Sequence, residues 1–451
     1  MASKKELIAA QGFSRRRLVT AFTSGAPGGR ELEPSSPLAG IIVGVVISVL
    51  IVVGSLAVGL FGGRAPQGWD ERGLVIVADN GARYVALNGT LHPVANLASA
   101  RLLAGEDDGT LAIATLKESQ LGDTPRGNVT VGIPGAPDAL TPADSLTQSG
   151  WTACIASGGG VAVSVPAAED ATRATTVPEP RGALVKAEGG GDLFYIWGPY
   201  RFPIAAVDAG RVDLALSTDR NQAVEVPGTW LNLFVEGPAI TPLTMPGSGQ
   251  PLSPAATAAT GMGDALTVGS VVVLTDAQGN ADGTYAFTAD SELAPLTDLA
   301  LNLYDRPERV PLTFSEAESL RRLPSAEIVP REWPTAQPEP LTGAPCAQLQ
   351  HADDQGRAST ELVAATEAPE AAGITVAPGA GALVALGSAQ GGWGLVDESG
   401  TLYPIPAGKP TALTLLGYPD VDPPRIAAPW AALFRDGPQL SADAALAGAG
   451  T

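Results

Sequence analysis

Few residues in this chain are of a type and spacing that can do chemistry. The 451 residues include only two histidines, His92 and His351, and two cysteines, Cys154 and Cys346. Two histidines are too few for an ordinary histidine-based metal site, and no CxxC or HExxH spacing supplies further ligands. The nearest approach to a phosphate loop is Ala407-Gly408-Lys409-Pro410-Thr411. Tyr403 stands where its first glycine belongs, and Pro410 where Ser or Thr would hold magnesium, so the stretch reads as a turn. Ser270 and the other serines sit in no GxSxG elbow. The acid pairs Asp107-Asp108 and Asp353-Asp354 lie in polar, loop-like stretches and read as solvated turns, not as a general acid with its base. No catalytic, cofactor or metal site is expected from these residues.

The elements around them are more informative. Residues 38–61, LAGIIVGVVISVLIVVGSLAVGLF, carry no charge. As a helix the stretch reaches about 36 Å, enough to cross a hydrocarbon core of roughly 30 Å. A cleavable signal would be shorter, would lie closer to the start and would end in small residues, so we expect a retained transmembrane helix. Within it Gly40, Gly44 and Ser48 recur every four residues, a stripe on which another helix can pack closely.

Ahead of that segment lie Lys4, Lys5, Arg15, Arg16, Arg17 and Arg30, against Glu6, Glu31 and Glu33. Such a basic flank predicts a cytoplasmic N-terminal arm over 1–37 and an extracytoplasmic body beyond a spacer at 62–72. Ser3 and Glu6 have capping-box spacing for a helix start, with Gly12 expected to interrupt it. Leu18, Ala21 and Phe22 share a face beyond the Arg15, Arg16 and Arg17 patch, suited to an anionic leaflet or a partner, or else to a solvated arm that only fixes topology.

The formal charge of −20 falls to −23 for the exported part, which keeps 21 basic and 44 acidic residues once the arm is set aside. That argues against nucleic acid as a ligand. Apolar residues make up 45%, with Gly 54 and Pro 39, a turn-rich but ordered composition. An even pair of cysteines in an oxidising compartment reads as one disulfide, the alternative being two separate buried thiols. Short aliphatic runs at Gly73, Thr110, Gly127, Gly160, Ser270 and Gly381 read as strands. Val94 to Ala104, Thr313 to Leu323 and Ala431 to Gly437 read as helical. The expected class is α+β with a large β-rich ectodomain.

That ectodomain repeats itself. Trp230, Leu233, Phe234, Gly237 and Pro238 match Trp430, Leu433, Phe434, Gly437 and Pro438 at a constant offset of 200. Phe202-Pro203-Ile204 matches Tyr403-Pro404-Ile405, and Pro93 matches Pro295, at nearly the same spacing. We therefore expect two halves, 73–264 and 265–451, each with two copies of a small motif. The Gly/Pro/Ser-rich stretch 241–265 would join them, and a Cys154–Cys346 bond would tie them together.

Taken together, QGFSRRRLVTAF, the apolar segment, YVALNGTLHPVANLASARLLAG, GIPGAPDAL, the cysteine pair and a closing W-x-x-L-F-x-x-GP resemble the EccB family. EccB proteins are membrane core components of actinobacterial type VII (ESX) secretion systems. The resemblance spans essentially the whole chain. It implies repeat units around a central β-rich domain, a bridging disulfide, a single-pass inner-membrane location and a structural role. It also implies EccC, EccD and EccE as neighbours, a mycosin protease nearby and homo-oligomers within the complex. Members are often labelled ATPases, so ATP enters only under that alternative; a cell-wall-binding module is a third reading.

Overall fold

The computed structural model describes residues 3–24, 65–171, 181–305, 308–325, 327–387, 391–408 and 411–447. The expected membrane segment 38–61, with Gly40, Gly44 and Ser48, lies outside the described residues, as does most of the arm beyond Ser24. Among the described residues no helix is long and apolar enough to cross a membrane. The chain divides into two compact units, Met1–Ala65 and Pro66–Thr451.

In the first unit one helix runs over Lys4–Ser24. The Ser3 N–H donates to Glu6 Oε2 (2.8 Å) and the Lys5 N–H to Ser3 Oγ (3.2 Å), so the start follows the capping residues. The helix passes through Gly12 without a break, contrary to the expected interruption. A single glycine costs only about 1 kcal/mol, and the flanking Lys, Glu, Leu, Ala and Gln are good helix formers. Arg15, Arg16 and Arg17 are on its exposed surface, as are Leu7, Ile8, Phe13, Leu18, Val19 and Phe22.

The second unit is a mixed α+β body whose described residues form five sheets, and four of them share one plan. In the first, Arg72–Val77, Arg83–Leu87 and Thr90–Pro93 form an antiparallel meander. A helix, Leu97–Ala104, then crosses over so that Ile113–Leu116 lies parallel beside the first strand. The third sheet does the same with Val271–Thr275, Ala281–Phe287, Leu293–Pro295, the helix Asp298–Leu303 and Arg309–Thr313. The second and fourth follow the plan from Arg181–Ala187 and Ala382–Leu386, and each adds a short edge strand, Val235–Glu236 or Arg435–Asp436; the second also takes Glu339–Pro340 beside Arg181–Ala187. Parallel return strands require a crossover, and a short helix over the sheet face provides one.

The fifth sheet lies at the centre and draws strands from both halves. Its order is Ala358–Ala365, Ala344–Ala352, Thr152–Ile155, Val161–Val165, Gly373–Val376. Cys154 and Cys346 are direct partners in the antiparallel ladder, 4.0 Å apart at Cα, and are bonded.

The four outer sheets do not associate half by half. The Leu97–Ala104 helix packs on the Ala412–Leu416 helix, joining the first sheet to the fourth through Ala98, Leu102, Leu413 and Leu416. The Ala209–Leu216 helix packs on Asp298–Leu303, joining the second to the third through Val212, Leu216, Leu299 and Leu303. The halves 73–264 and 265–451 are thus interleaved within one compact unit. The 241–265 join is no open linker either: Leu243, Met245, Leu252 and Ala256 are core residues, and Pro254–Thr260 is helical.

Strands stand where expected near Gly73, Gly160, Ser270 and Gly381, and Ile113–Leu116 fills part of the run from Thr110. Three expectations fail. Gly127 to Ile133 makes only one isolated bridge, Val131 with Val94. A Cβ on Gly127 would come within 2.5 Å of the His92 ring, so the chain turns tightly there. Past Thr313 the helix is only Phe314–Ala317, because Arg321 C=O and Leu323 N–H bond to the backbone of Leu293. From Ala431 the helix ends at once, and Arg435–Asp436 pairs with Thr401 and Leu402.

Removing the disulfide with Cys154→Ala and Cys346→Ala together should lower the melting temperature by calorimetry. The bond closes a sequence separation of 192 residues, for which the chain-entropy model gives an upper figure of about 5 kcal/mol. The far-UV spectrum should be unchanged, since the neighbouring ladder pairs hold the register. An unchanged melting temperature would contradict this.

Candidate functional site

The residues that recur at the 200-residue offset converge on the central sheet. Gly228–Leu231 and Ala428–Ala431 are single helical turns, too short to be stable alone. Each carries its tryptophan, Trp230 or Trp430, into a fully buried position. The Trp230 indole N–H donates to the Ala153 carbonyl at 2.8 Å, and the Trp430 indole N–H donates to Thr360 Oγ1, also at 2.8 Å. Ala153 and Thr360 belong to different strands of the central sheet. Trp151, just before the Thr152–Ile155 strand, is equally buried and meets Trp430 (6.3 Å) and Phe434 (5.3 Å) edge to face.

After each tryptophan the chain repeats one set of contacts. The N–H of Gly237 donates to Arg201 C=O and that of Ile240 to Pro203 C=O. In the other copy Gly437 N–H donates to Leu402 C=O and Leu440 N–H to Pro404 C=O. Both glycines lie against the aromatic ring of the matching Phe-Pro-Ile or Tyr-Pro-Ile. An added Cβ would come within 2.5 Å of Phe202 at Gly237, and within 2.6 Å of Tyr403 at Gly437. These glycines are required for close approach.

The other sequence candidates are dispersed. Tyr403 sits in the fourth sheet, its hydroxyl donating to Asp397 (3.0 Å); burial first, and then that carboxylate, push the phenol up to about 12. Thr411 caps the short Ala412–Leu416 helix, while Lys409 and Pro410 lie outside the described residues. His351 faces Ser149 Oγ from 3.0 Å, and His92 lies far along the chain in the first sheet beside Gly127. Among the described residues no three His, Cys, Asp or Glu side chains gather as metal ligands.

The acidic loops are turns with a common build. Asp276, Asp353 and Asp397 each accept backbone N–H groups from two and four residues onward, with Gly279, Gly356 and Gly400 at positive φ. Accepting the Arg357 N–H, and with it that of Gln355, holds the Asp353 carboxyl below the usual carboxylate range.

Sequence reasoning found the tryptophans but not their acceptors. Ala153 offers a main-chain carbonyl, which no residue type announces, and Thr360 is one threonine among many.

Trp430→Phe keeps the ring but leaves Thr360 Oγ1 without its donor, and Trp230→Phe does the same to the Ala153 carbonyl. Each should destabilise by about 1–3 kcal/mol in denaturant titration. Gly437→Ala should cost a similar amount, about 1–3 kcal/mol, by overpacking against Tyr403. Neutral outcomes would show that these contacts do not hold the sheet. The Asp353 carboxyl is a stronger acid folded than unfolded, so its stabilisation is present above the unfolded value of about 3.9 and fades as pH falls through the lower folded value. Asp353→Asn keeps the acceptor oxygen but not the titration. Its melting temperature should therefore fall less between neutral pH and about pH 3 than that of the parent; parallel losses would refute this.

Comparison with known proteins agrees with this architecture. The family model described as type VII secretion system ESX-1, transport TM domain B, matches residues 1–451. The ESX-3 secretion system ATPase EccB3 of Mycobacterium tuberculosis H37Rv is 31% identical over 225 residues, 47% of this chain and 40% of that protein. Its counterpart in Mycolicibacterium smegmatis is 31% identical over 265 residues, covering 57% and 48%. The aligned regions thus span less than half the length of these relatives. The fold is shared with a chain of the intact ESX-5 inner membrane complex, with TM-score 0.63, 22% identity and coverage of 100% of this chain and 96% of that one. It is shared also with the EccB3 dimer from the ESX-3 core complex, with TM-score 0.62, 22% identity and coverage of 83% and 100%. With the family model matched from end to end, this chain belongs to the EccB family of type VII secretion systems.

Proposed function

We propose that this protein is a structural core subunit of a type VII (ESX) membrane complex. In this reading 38–61 anchors it once in the inner membrane, the Lys4–Ser24 arm is cytoplasmic and the 73–451 body is extracytoplasmic. The observation that carries the structural role is the doubled tryptophan anchor. The recurring residues, the most distinctive in the chain, close a core. The relatives have ATPase in their names; here Tyr403, at the position of the first phosphate-loop glycine, lies on Gly437, and Thr411 caps a helix of five residues.

The same reading includes an internal duplication. It is supported by the shared plan of the four outer sheets, by the two equivalent tryptophan anchors and by the constant offset between them. Contacts to EccC, EccD and EccE would run through the membrane helix at Gly40, Gly44 and Ser48 and through the basic patch Arg15, Arg16 and Arg17. A mycosin protease and further copies of this chain would lie nearby.

Two measurements on one set of cells test this. A cysteine introduced at Ser3 should be shielded from an impermeant thiol reagent in intact cells, and one at Gly356 should be labelled. Gly44→Leu should insert and fold but run on native gels outside the large complex, because a bulky side chain blocks close helix approach. Reversed labelling would overturn the topology. Normal assembly of Gly44→Leu would remove that stripe as the contact.

A further inference from the structure

The two faces of the central sheet differ. Side chains alternate along a strand, so Trp151, Ala153 and Ile155 enter the core with Val163, Ala347 and Leu362, while Cys154 and Cys346 share the opposite face with Val363. There both cysteines line an open pocket of about 300 Å³, together with Thr152, Ser164, Gln348 and Val363.

We propose that this disulfide is a site of thiol–disulfide exchange in the folded protein, with Cys154 the sulfur attacked and Cys346 the leaving group. Exchange proceeds by attack of a thiolate on one sulfur, in line with the bond that breaks. A thiolate approaching Cys154 from the side away from Cys346 comes over the Val161–Val165 strand, where the register partner is Ala162, a half-buried methyl. The corresponding approach to Cys346 crosses its register partner Val363, branched and only 4% exposed. Cys154 itself is 7% exposed and Cys346 1%. Access therefore favours one sulfur.

In the step, the incoming thiolate bonds to Cys154 Sγ, and the electron pair of the broken bond goes to Cys346 Sγ, which takes a proton from water. The second thiol of a dithiol then attacks the mixed disulfide, leaves oxidised as its own disulfide and releases Cys154 as a thiol. The acidic body disfavours an anionic reductant, so the fitting class is a neutral or cationic dithiol. Reduction leaves the backbone pairs Ala347 with Ala153 and Gln348 with Thr152 in place. The strands stay registered while the covalent tie between the halves is lost.

The test uses the full chain in detergent without denaturant. A brief pulse of 2-mercaptoethanol, an acid quench, alkylation and peptide mapping should place the mercaptoethanol adduct on Cys154 and the alkyl group on Cys346. Dithiothreitol should reduce the bond while the far-UV spectrum persists. Ala162→Leu should slow that reduction roughly fivefold or more by covering the approach, and Val363→Ala should change it less than about twofold. An adduct on Cys346, or a bond that resists dithiothreitol until denaturant is added, overturns the proposal. The adduct mapping needs no variant, so it decides even if Ala162→Leu folds poorly.

Discussion

Two indole N–H groups hold this molecule to its centre. Trp230 and Trp430 reach the central sheet from different halves of the sequence and bond at the same 2.8 Å to acceptors on two of its strands. A buried donor without a partner costs on the order of 1–3 kcal/mol, so neither tryptophan can shift without stranding both its own N–H and its acceptor. Trp151 makes the contrast: among the described residues its buried indole N–H has no partner, and its ring meets Trp430 and Phe434 edge to face. The sheet is closed by aromatic packing and oriented by two directional bonds.

That arrangement explains why the outer sheets pair across the halves. The second and fourth sheets are fixed by their tryptophans to the middle strand and to an edge strand of the central sheet. The first and third each have one apolar helix, Leu97–Ala104 and Asp298–Leu303, left to bury. Each finds the helix of an anchored sheet from the other half, Ala412–Leu416 or Ala209–Leu216. The disulfide adds a covalent tie at one of the places where strands of the two halves are adjacent, the Thr152–Ile155 and Ala344–Ala352 pair.

Much of this was legible in the sequence, and what was not has definite physical reasons. The tryptophan motif showed because packing against an aromatic ring and a sheet demands fixed residue types at fixed spacing. The strands showed through their aliphatic runs. The cross-half pairing did not show, because Leu102 and Leu413 are generic apolar residues and nothing in their type names a partner some three hundred positions away. The short strand Arg435–Asp436 was hidden for a related reason: two polar residues have no strand signal, and only the backbone of Thr401 and Leu402 makes them one. Gly12 misled because the one residue weighed against the helix was outweighed by twenty others.

The interleaving also bears on how such a body resists being pulled apart. If each half buried its own helices, a break at the join would release two intact pieces. Here opening either half exposes a helix face of both, Leu102 with Leu416 or Leu216 with Leu303, together with an aromatic core at Trp151, Trp230 and Trp430. Contacts so distant in sequence make folding slow, since long loops must close before they are rewarded. Once closed, they leave no outer sheet that can detach without the transition state losing contacts belonging to another. That cooperativity follows from where two tryptophans and a handful of small apolar helices are placed.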